Sequence, residues 1–138
     1  SFQNTIRRYS MHECGARFQV ITDESIEDLT ARLKKRRSAD FVIIDSFQYT
    51  QLNYRRYLEF KKANRNKLII FVSHADNRQP AGRAAVRVKY DADQKIWVEG
   101  YKAISNGRYI GNTGECIIWE EGARKYWGTI KQNRNNED

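Results

Sequence analysis

The most apolar run in the first half of the chain ends on a carboxylate: Phe41-Val42-Ile43-Ile44 is followed at once by Asp45 and Ser46. A second run, Leu68-Ile69-Ile70-Phe71-Val72, stops as abruptly at Ser73-His74. An acid at the end of a strand can hold Mg²⁺ through water, and a polar side chain at the end of the next strand can hydrogen-bond a terminal phosphate. The same residue types admit other uses. A strand-terminal Asp also serves to cap the helix that follows. Ser73, His74 and Asp45 or Asp76 supply the parts of a hydrolase, but adjacent side chains on a strand point to opposite faces and no elbow of glycines surrounds a serine. Asp91 and Asp93 have the spacing to share a strand face and bind a cation, or to lie in a solvated turn. His12 sits in an arginine-rich helical segment and reads as a surface residue.

The elements that must position these groups alternate along the chain. Residues 17 to 22, Arg-Phe-Gln-Val-Ile-Thr, predict a short strand. Ser25 and Asp28 have capping-box spacing, and Ile26, Leu29 and Leu33 share one face of the helix they open. Lys34-Lys35-Arg36-Arg37 is expected in its last turn, where cations complement exposed carbonyls. "FVIID" has the length of a strand covered on both faces. The stretch 52–64 predicts a second helix with Tyr54, Tyr57 and Leu58 on one side, and "KLIIFV" a further strand. Strand, helix, strand, helix, strand at this spacing is a repeated right-handed crossover with a parallel sheet, and ligands then sit at the carboxyl ends of the strands. After Pro80, "AGRAAVRVKYDAD" predicts a short helix or a loop, "KIWVEGYKAIS", "GRYIG" and "GECIIWEEG" a hairpin or meander that makes the sheet mixed, and 122–128 a last short helix. Residues 131–138 are a polar tail expected to be disordered.

Composition bounds the partners. The 138 residues fit one domain, placed at 1–130, and carry 25 Lys and Arg against 17 Asp and Glu, a net charge of +8. Such a balance suits phosphates of nucleic acid, nucleotide or a membrane surface, and equally a solvated basic surface. Cys14 and Cys116 are too far apart for a metal knuckle, which leads to the expectation of a reduced, cytoplasmic protein. No apolar stretch approaches the roughly 18 residues of a membrane span, so membrane insertion is not expected.

The order of motifs resembles the RecA-like P-loop ATPases of the RadA, KaiC and DnaB kind. In that family a strand, an acid-capped helix and an apolar run ending in Asp-Ser-(hydrophobic)-Gln-Thr follow one another; here the run closes as Asp45-Ser46-Phe47-Gln48-Tyr49-Thr50, one residue longer. His74, Ala81-Gly82, Asp93 and Glu99-Gly100 match a later segment with a Gly-His pair, an Ala-Gly, and an Asp ahead of a strand ending in Glu-Gly. "GECIIWEEGARKYW" resembles the closing strand and short helix, so the resemblance covers roughly residues 1 to 127. It implies a three-layer α/β fold: a mixed, mostly parallel sheet flanked by helices, with antiparallel hairpin strands at the C-terminal side. It further implies that Asp45 is the Walker B acid on the water shell of Mg²⁺, that Ser46 and Gln48 lie beside the ATP, and that Ser73 and His74 form the γ-phosphate sensor. Arg108 matches the arginine of a basic motif, while Arg78, Arg83 and Arg87 are the nearest cations for a nucleotide or a neighbouring subunit. The chain departs from the pattern at Ser105-Asn106-Gly107-Arg108, where the RadA branch has Lys-Asn-Arg-Phe-Gly, and at Ala75-Asp76, where the family has Thr-Lys.

A phosphate loop needs GxxxxGK[ST], because glycine-rich backbone amides and one lysine cradle the phosphates. None of the eight glycines precedes a Gly-Lys-Ser/Thr, and the family's catalytic glutamate would fall ahead of residue 1. The expectation is therefore the C-terminal half of a RecA-like ATPase domain from a DNA-acting helicase, recombination or repair enzyme, inactive by itself. Its partners would be the missing Walker A half and, in the parent, copies in a ring or filament. The alternative is a stand-alone, non-catalytic nucleic-acid-binding or regulatory domain, in which Trp97, Tyr101, Tyr109 and Trp119 stack bases beside Lys102 and Arg108.

Overall fold

The computed structural model describes residue 4, residues 7–107 and residues 114–128. Arg108, Tyr109, the tail 131–138 and the side chain of His12 lie outside the described residues. The chain is mixed α/β and forms two compact units, one up to His74 and one from Ala75 on. Each is taken by itself.

In the first unit, Met11–Arg17 forms a 3₁₀ segment and residues 18–22 pair with no strand among the described residues, so the strand expected at 17–22 is not formed. Val20 and Ile21 remain exposed because no ladder partner lies beside them. Helix α1 (Ile26–Leu33) starts where the spacing predicts: the Ser25 hydroxyl accepts the Asp28 N–H at 3.1 Å and donates to the Asp28 carboxylate at 2.6 Å. It ends at Leu33, earlier than expected, and the basic cluster 34–37 lies beyond it in a turn where Arg37 adopts φ 62°.

Strands β1 (Phe41–Asp45) and β2 (Leu68–Val72) pair in parallel, with Phe41 opposite Leu68 and Asp45 opposite Val72. Between them run a 3₁₀ turn at Phe47–Thr50 and helix α2 (Tyr54–Ala63), whose first turn is capped by Asn53 accepting the Arg56 N–H at 2.9 Å. The buried face of α2 is Tyr57 and Phe60, continued by Asn64, while Leu58 is exposed. These rings close on Phe71, which touches Phe47, Tyr57 and Phe60 at centroid distances of 5.4, 5.9 and 6.1 Å, all edge to face. That cluster is the centre of the unit.

Both strands were expected to be covered on two faces, and only one face is. Phe41 is 73 % exposed, Ile43 68 %, and Leu68, Ile70 and Val72 between 40 and 52 %. The alternation of side chains puts these five on one face, opposite the face that carries Phe71.

In the second unit, β3 (Ala75–Asp76) and β4 (Gln79–Pro80) form a minimal antiparallel hairpin around Asn77 and Arg78, both at positive φ as a type I′ turn requires. Helix α3 (Arg83–Asp91) settles the helix-or-loop alternative and buries Ala85 and Val88. Asp91 ends it and Asp93 precedes the next strand, so the two do not share a strand face. Strands β5 (Gln94–Glu99), β6 (Lys102–Gly107) and β7 (Glu115–Ile117) form an antiparallel sheet, and helix α4 (Glu120–Trp127) follows. The β5–β6 turn is Gly100-Tyr101, again at positive φ, and no side chain fits at Gly100 against Tyr126 and Trp127. The expectation of a mostly parallel sheet is thus corrected: among the described residues the first unit has one parallel pair and the second two small antiparallel sheets. Among the described residues no ladder joins β1–β2, β3–β4 and β5–β6–β7 to one another.

Candidate functional site

The parallel pairing brings the ends of β1 and β2 together, and a short turn locks them. The Asp45–Ser46 peptide is cis, after which the chain enters the 3₁₀ turn, held by the Tyr49 N–H on the Ser46 carbonyl at 3.1 Å and by the Thr50 hydroxyl on the Phe47 carbonyl at 2.6 Å. This turn presents Gln48 to the end of β2. Its amide nitrogen donates to the Ser73 Oγ at 2.8 Å and its amide oxygen accepts the His74 N–H at 3.2 Å. One glutamine thus ties the segment after β1 to the segment after β2. The Tyr49 ring, 81 % exposed, meets the His74 imidazole edge to face at 6.4 Å. Tyr49 was not singled out from sequence; its signal was an aromatic in a four-residue turn that left it no room in the core.

Asp45 is exposed, and its carboxylate forms no ion pair or hydrogen bond among the described residues. Its alternative use as a cap is not realised: Ser46 is the N-cap of the following turn, and no side chain caps it. Ser46 itself is 2 % exposed and its Oγ is the buried side-chain atom without a hydrogen-bond partner among the described residues. A buried hydroxyl without a partner costs free energy, and such groups accumulate where a ligand or an ordered water completes the bonding. By strand alternation Asp45 also stands on the uncovered face, at the head of the Phe41–Ile43 row.

Asp45, Ser46, Gln48, Ser73 and His74 are therefore gathered at one edge of one unit. Arg78 lies in the second unit, in the β3–β4 turn, 3.7 Å from the Glu99 carboxylate. The hydrolase arrangement is not formed: Ser73 Oγ spends its proton on the His74 carbonyl oxygen at 3.0 Å and accepts from Gln48. No group of three or more His, Cys, Asp or Glu side chains is gathered to hold a metal among the described residues. The site thus offers one exposed carboxylate, Asp45, while the neighbouring Ser46 hydroxyl is buried.

In the second unit Trp97 lies on β5, while Tyr101 pairs with Trp119 and Tyr126 with Trp127. Tyr101 lies in the β5–β6 turn and meets Trp119, the N-cap of α4, edge to face at 4.9 Å. The Trp97 indole N–H donates to Glu99 at 2.9 Å, the Tyr126 hydroxyl donates to the same carboxylate at 3.2 Å, and the Trp127 N–H donates to the Gly100 carbonyl at 3.0 Å. The Trp97 bond, aided by Tyr126 and the Arg78 cation and opposed by burial, holds the Glu99 carboxyl below the usual carboxylate range. A folded pKa below the unfolded one contributes stability that is present above about pH 4.3, the ordinary glutamate value, and is lost as the pH falls through the folded pKa. Trp97→Phe is expected to raise the Glu99 pKa toward the ordinary value in a carbon-detected NMR titration. An unchanged titration would show that the indole bond does not control the carboxylate.

Comparison of the chain with protein-family models, with curated proteins and with solved structures gives no match. Among the described residues no helix is long and apolar enough to cross a membrane, and Cys14 and Cys116 are both free and exposed.

Proposed function

We propose that the chain is the C-terminal part of a three-layer, RecA-like ATPase domain, with Asp45 as the Walker B acid, drawn from an ATPase that acts on DNA. The observation that carries the reading is Asp45 itself: an exposed carboxylate with no partner among the described residues, at the carboxyl end of a parallel strand, directly before a buried hydroxyl that has none either. Asp45 would hold, through water, the Mg²⁺ that accompanies the nucleotide, and that ion would neutralise charge on the phosphates of ATP. Ser73 and His74 stand one step beyond β2 as the phosphate-sensing pair, and Gln48 fixes their distance from Asp45.

The uncovered apolar face of β1 and β2 supports the same reading. Phe41, Ile43, Leu68, Ile70 and Val72 form a continuous patch of the kind that marks an interaction surface. On this proposal the face receives the layer that carries GxxxxGK[ST], and the parent assembles as a ring or filament with Arg78 and Arg108 as candidate contacts to nucleotide. Without the phosphate loop the chain lacks the lysine and amides that stabilise transferring phosphate and does not hydrolyse ATP alone. The test is ATP turnover by a longer chain bearing that loop ahead of residue 1: it is abolished by Asp45→Asn if the assignment holds, and unchanged turnover overturns it.

A further inference from the structure

The excess positive charge is not shared evenly between the two units. Residues 1–74 hold 14 Lys and Arg against 8 Asp and Glu, whereas residues 75–138 hold 11 against 9. Within the first unit the cations concentrate at the edge of the β1–β2 pair opposite Asp45. Two turns meet there. One is residues 34–38, after α1; the other is residues 61–67, the end of α2 and its exit. The Leu68 N–H donates to the Asp40 carbonyl at 2.8 Å, and Lys67 pairs with the Asp40 carboxylate at 3.2 Å, which ties the two turns at their ends. Arg56 pairs with Glu27 near the other ends of the helices, so α1 and α2 run in the same direction and deliver both turns to one edge.

Lys34, Arg36, Arg37, Lys62 and Arg65 are exposed there, and none makes an ion pair or side-chain hydrogen bond among the described residues. The acids nearby are already used: Asp40 by Lys67, and Glu59 by Arg55 at 3.3 Å. Lys35 belongs elsewhere, lining a shallow depression with Asp23, Glu24 and Asp28.

The simplest structural role for such cations is to satisfy the last carbonyls of a helix. That role is filled by others. The Ser38 hydroxyl donates to the Leu33 carbonyl at 2.6 Å, the Lys35 N–H to the Arg32 carbonyl at 3.1 Å, and the buried Asn64 amide to the Phe60 carbonyl at 2.9 Å. The cations are left facing solvent on two turns whose backbones are pinned.

We propose that this basic edge binds the phosphate backbone of nucleic acid. Three of the five cations are arginines, whose planar fork takes two oxygens of one phosphate, and all five stand on two turns whose backbones are tied together through Asp40, Lys67 and Leu68. A fluid anionic membrane would need only the charge. The proposal goes beyond the nucleotide reading and does not depend on it, because the edge lies at the opposite ends of the strands from Asp45.

The test uses residues 1–138 without nucleotide and a fluorescein-labelled, 20-nucleotide single-stranded oligothymidylate, followed by anisotropy over a salt series. Each phosphate contact contributes roughly 0.7 to the slope of log affinity against log salt for a single strand. Arg36→Gln, Arg37→Gln, Lys62→Gln and Arg65→Gln combined should lower the slope by about 3 and weaken binding about tenfold or more at low salt. Arg36→Gln and Arg65→Gln singly should each remove about 0.7, which keeps the test decisive if the combined variant is unstable. Arg124→Gln with Lys125→Gln in α4, and Asp45→Asn, should leave binding unchanged. Absence of salt-dependent binding, equal binding by the edge variants, or binding to phosphatidylserine vesicles with none to the oligonucleotide would each overturn the proposal. Loss of binding in Asp45→Asn with the edge variants unaffected would place the nucleic acid at the other end of the strands and overturn it as well.

Discussion

Asp45→Asn, placed in a chain that also bears the phosphate loop, is expected to lower ATP turnover by roughly 10²–10³-fold, the size of effect seen when one preorganised electrostatic contact to a reacting centre is removed. The expectation rests on what Asp45 does not do in the fold. It caps no helix, forms no ion pair among the described residues, and is exposed at the end of an apolar strand. Asparagine keeps its shape and removes only the charge. The thermal midpoint should therefore stay within the narrow range typical of surface substitutions, about 0.5 kcal/mol of stability, while turnover collapses. A parallel fall in both would mean that the carboxylate has a structural role.

The second large effect falls on the core. Phe71→Ala should destabilise the first unit by up to about 3 kcal/mol, the low end of the range for a packed phenylalanine, because Phe71 is half-buried. Phe71 is the one ring that touches Phe47, Tyr57 and Phe60, so its removal opens a hole shared by β2, the turn after β1 and α2. The same turn carries Gln48, and the brace from Gln48 to Ser73 and His74 is lost with it. Ile70→Ala, one residue earlier on the uncovered face, should cost far less because Ile70 is 43 % exposed. Urea unfolding followed by the NMR signals of α1 and α2 separates the two. Equal costs would mean that the uncovered face is packed in solution.

Much of the arrangement around Asp45 was legible from residues alone. Two apolar runs of strand length, each with an abrupt polar stop, predict neighbouring parallel strands, and Asp45 and Ser73 do come to the same edge of β1 and β2. The capping residue Ser25 and the faces of Leu33 and Tyr57 were equally readable, because a cap or a helical stripe is a local signal. Phe60 was not: the 3.6-residue period allows either Leu58 or Phe60 on the stripe, and the choice is made by Phe71, far away in sequence. The run Arg17 to Thr22 alternates like a strand yet pairs with nothing, since periodicity describes a face and not the neighbour that must complete it. The basic cluster 34–37 was read as the last turn of α1; the helix stops at Leu33 because the Ser38 hydroxyl and the turn backbone take over its carbonyls. Its meeting with Lys62 and Arg65 depends on the pairing of Asp40 with Lys67, which no local pattern announces. The exposed side of β1 was invisible for the same reason: "FVIID" has the composition of a strand covered on both faces, yet Phe41 and Ile43 are exposed.

The measurement that tests the central claim most directly is paramagnetic broadening of an isotope-labelled chain, residues 1–138, by Mn²⁺ added with ATP at millimolar concentration, a regime that detects weak sites. The account predicts that the amide signals of Asp45, Ser46, Gln48, Ser73 and His74 broaden first, and that Asp45→Asn removes the effect there. Broadening that begins instead at the Asp23, Glu24 and Asp28 depression, that is the same in Asp45→Asn, or that is absent throughout would contradict it.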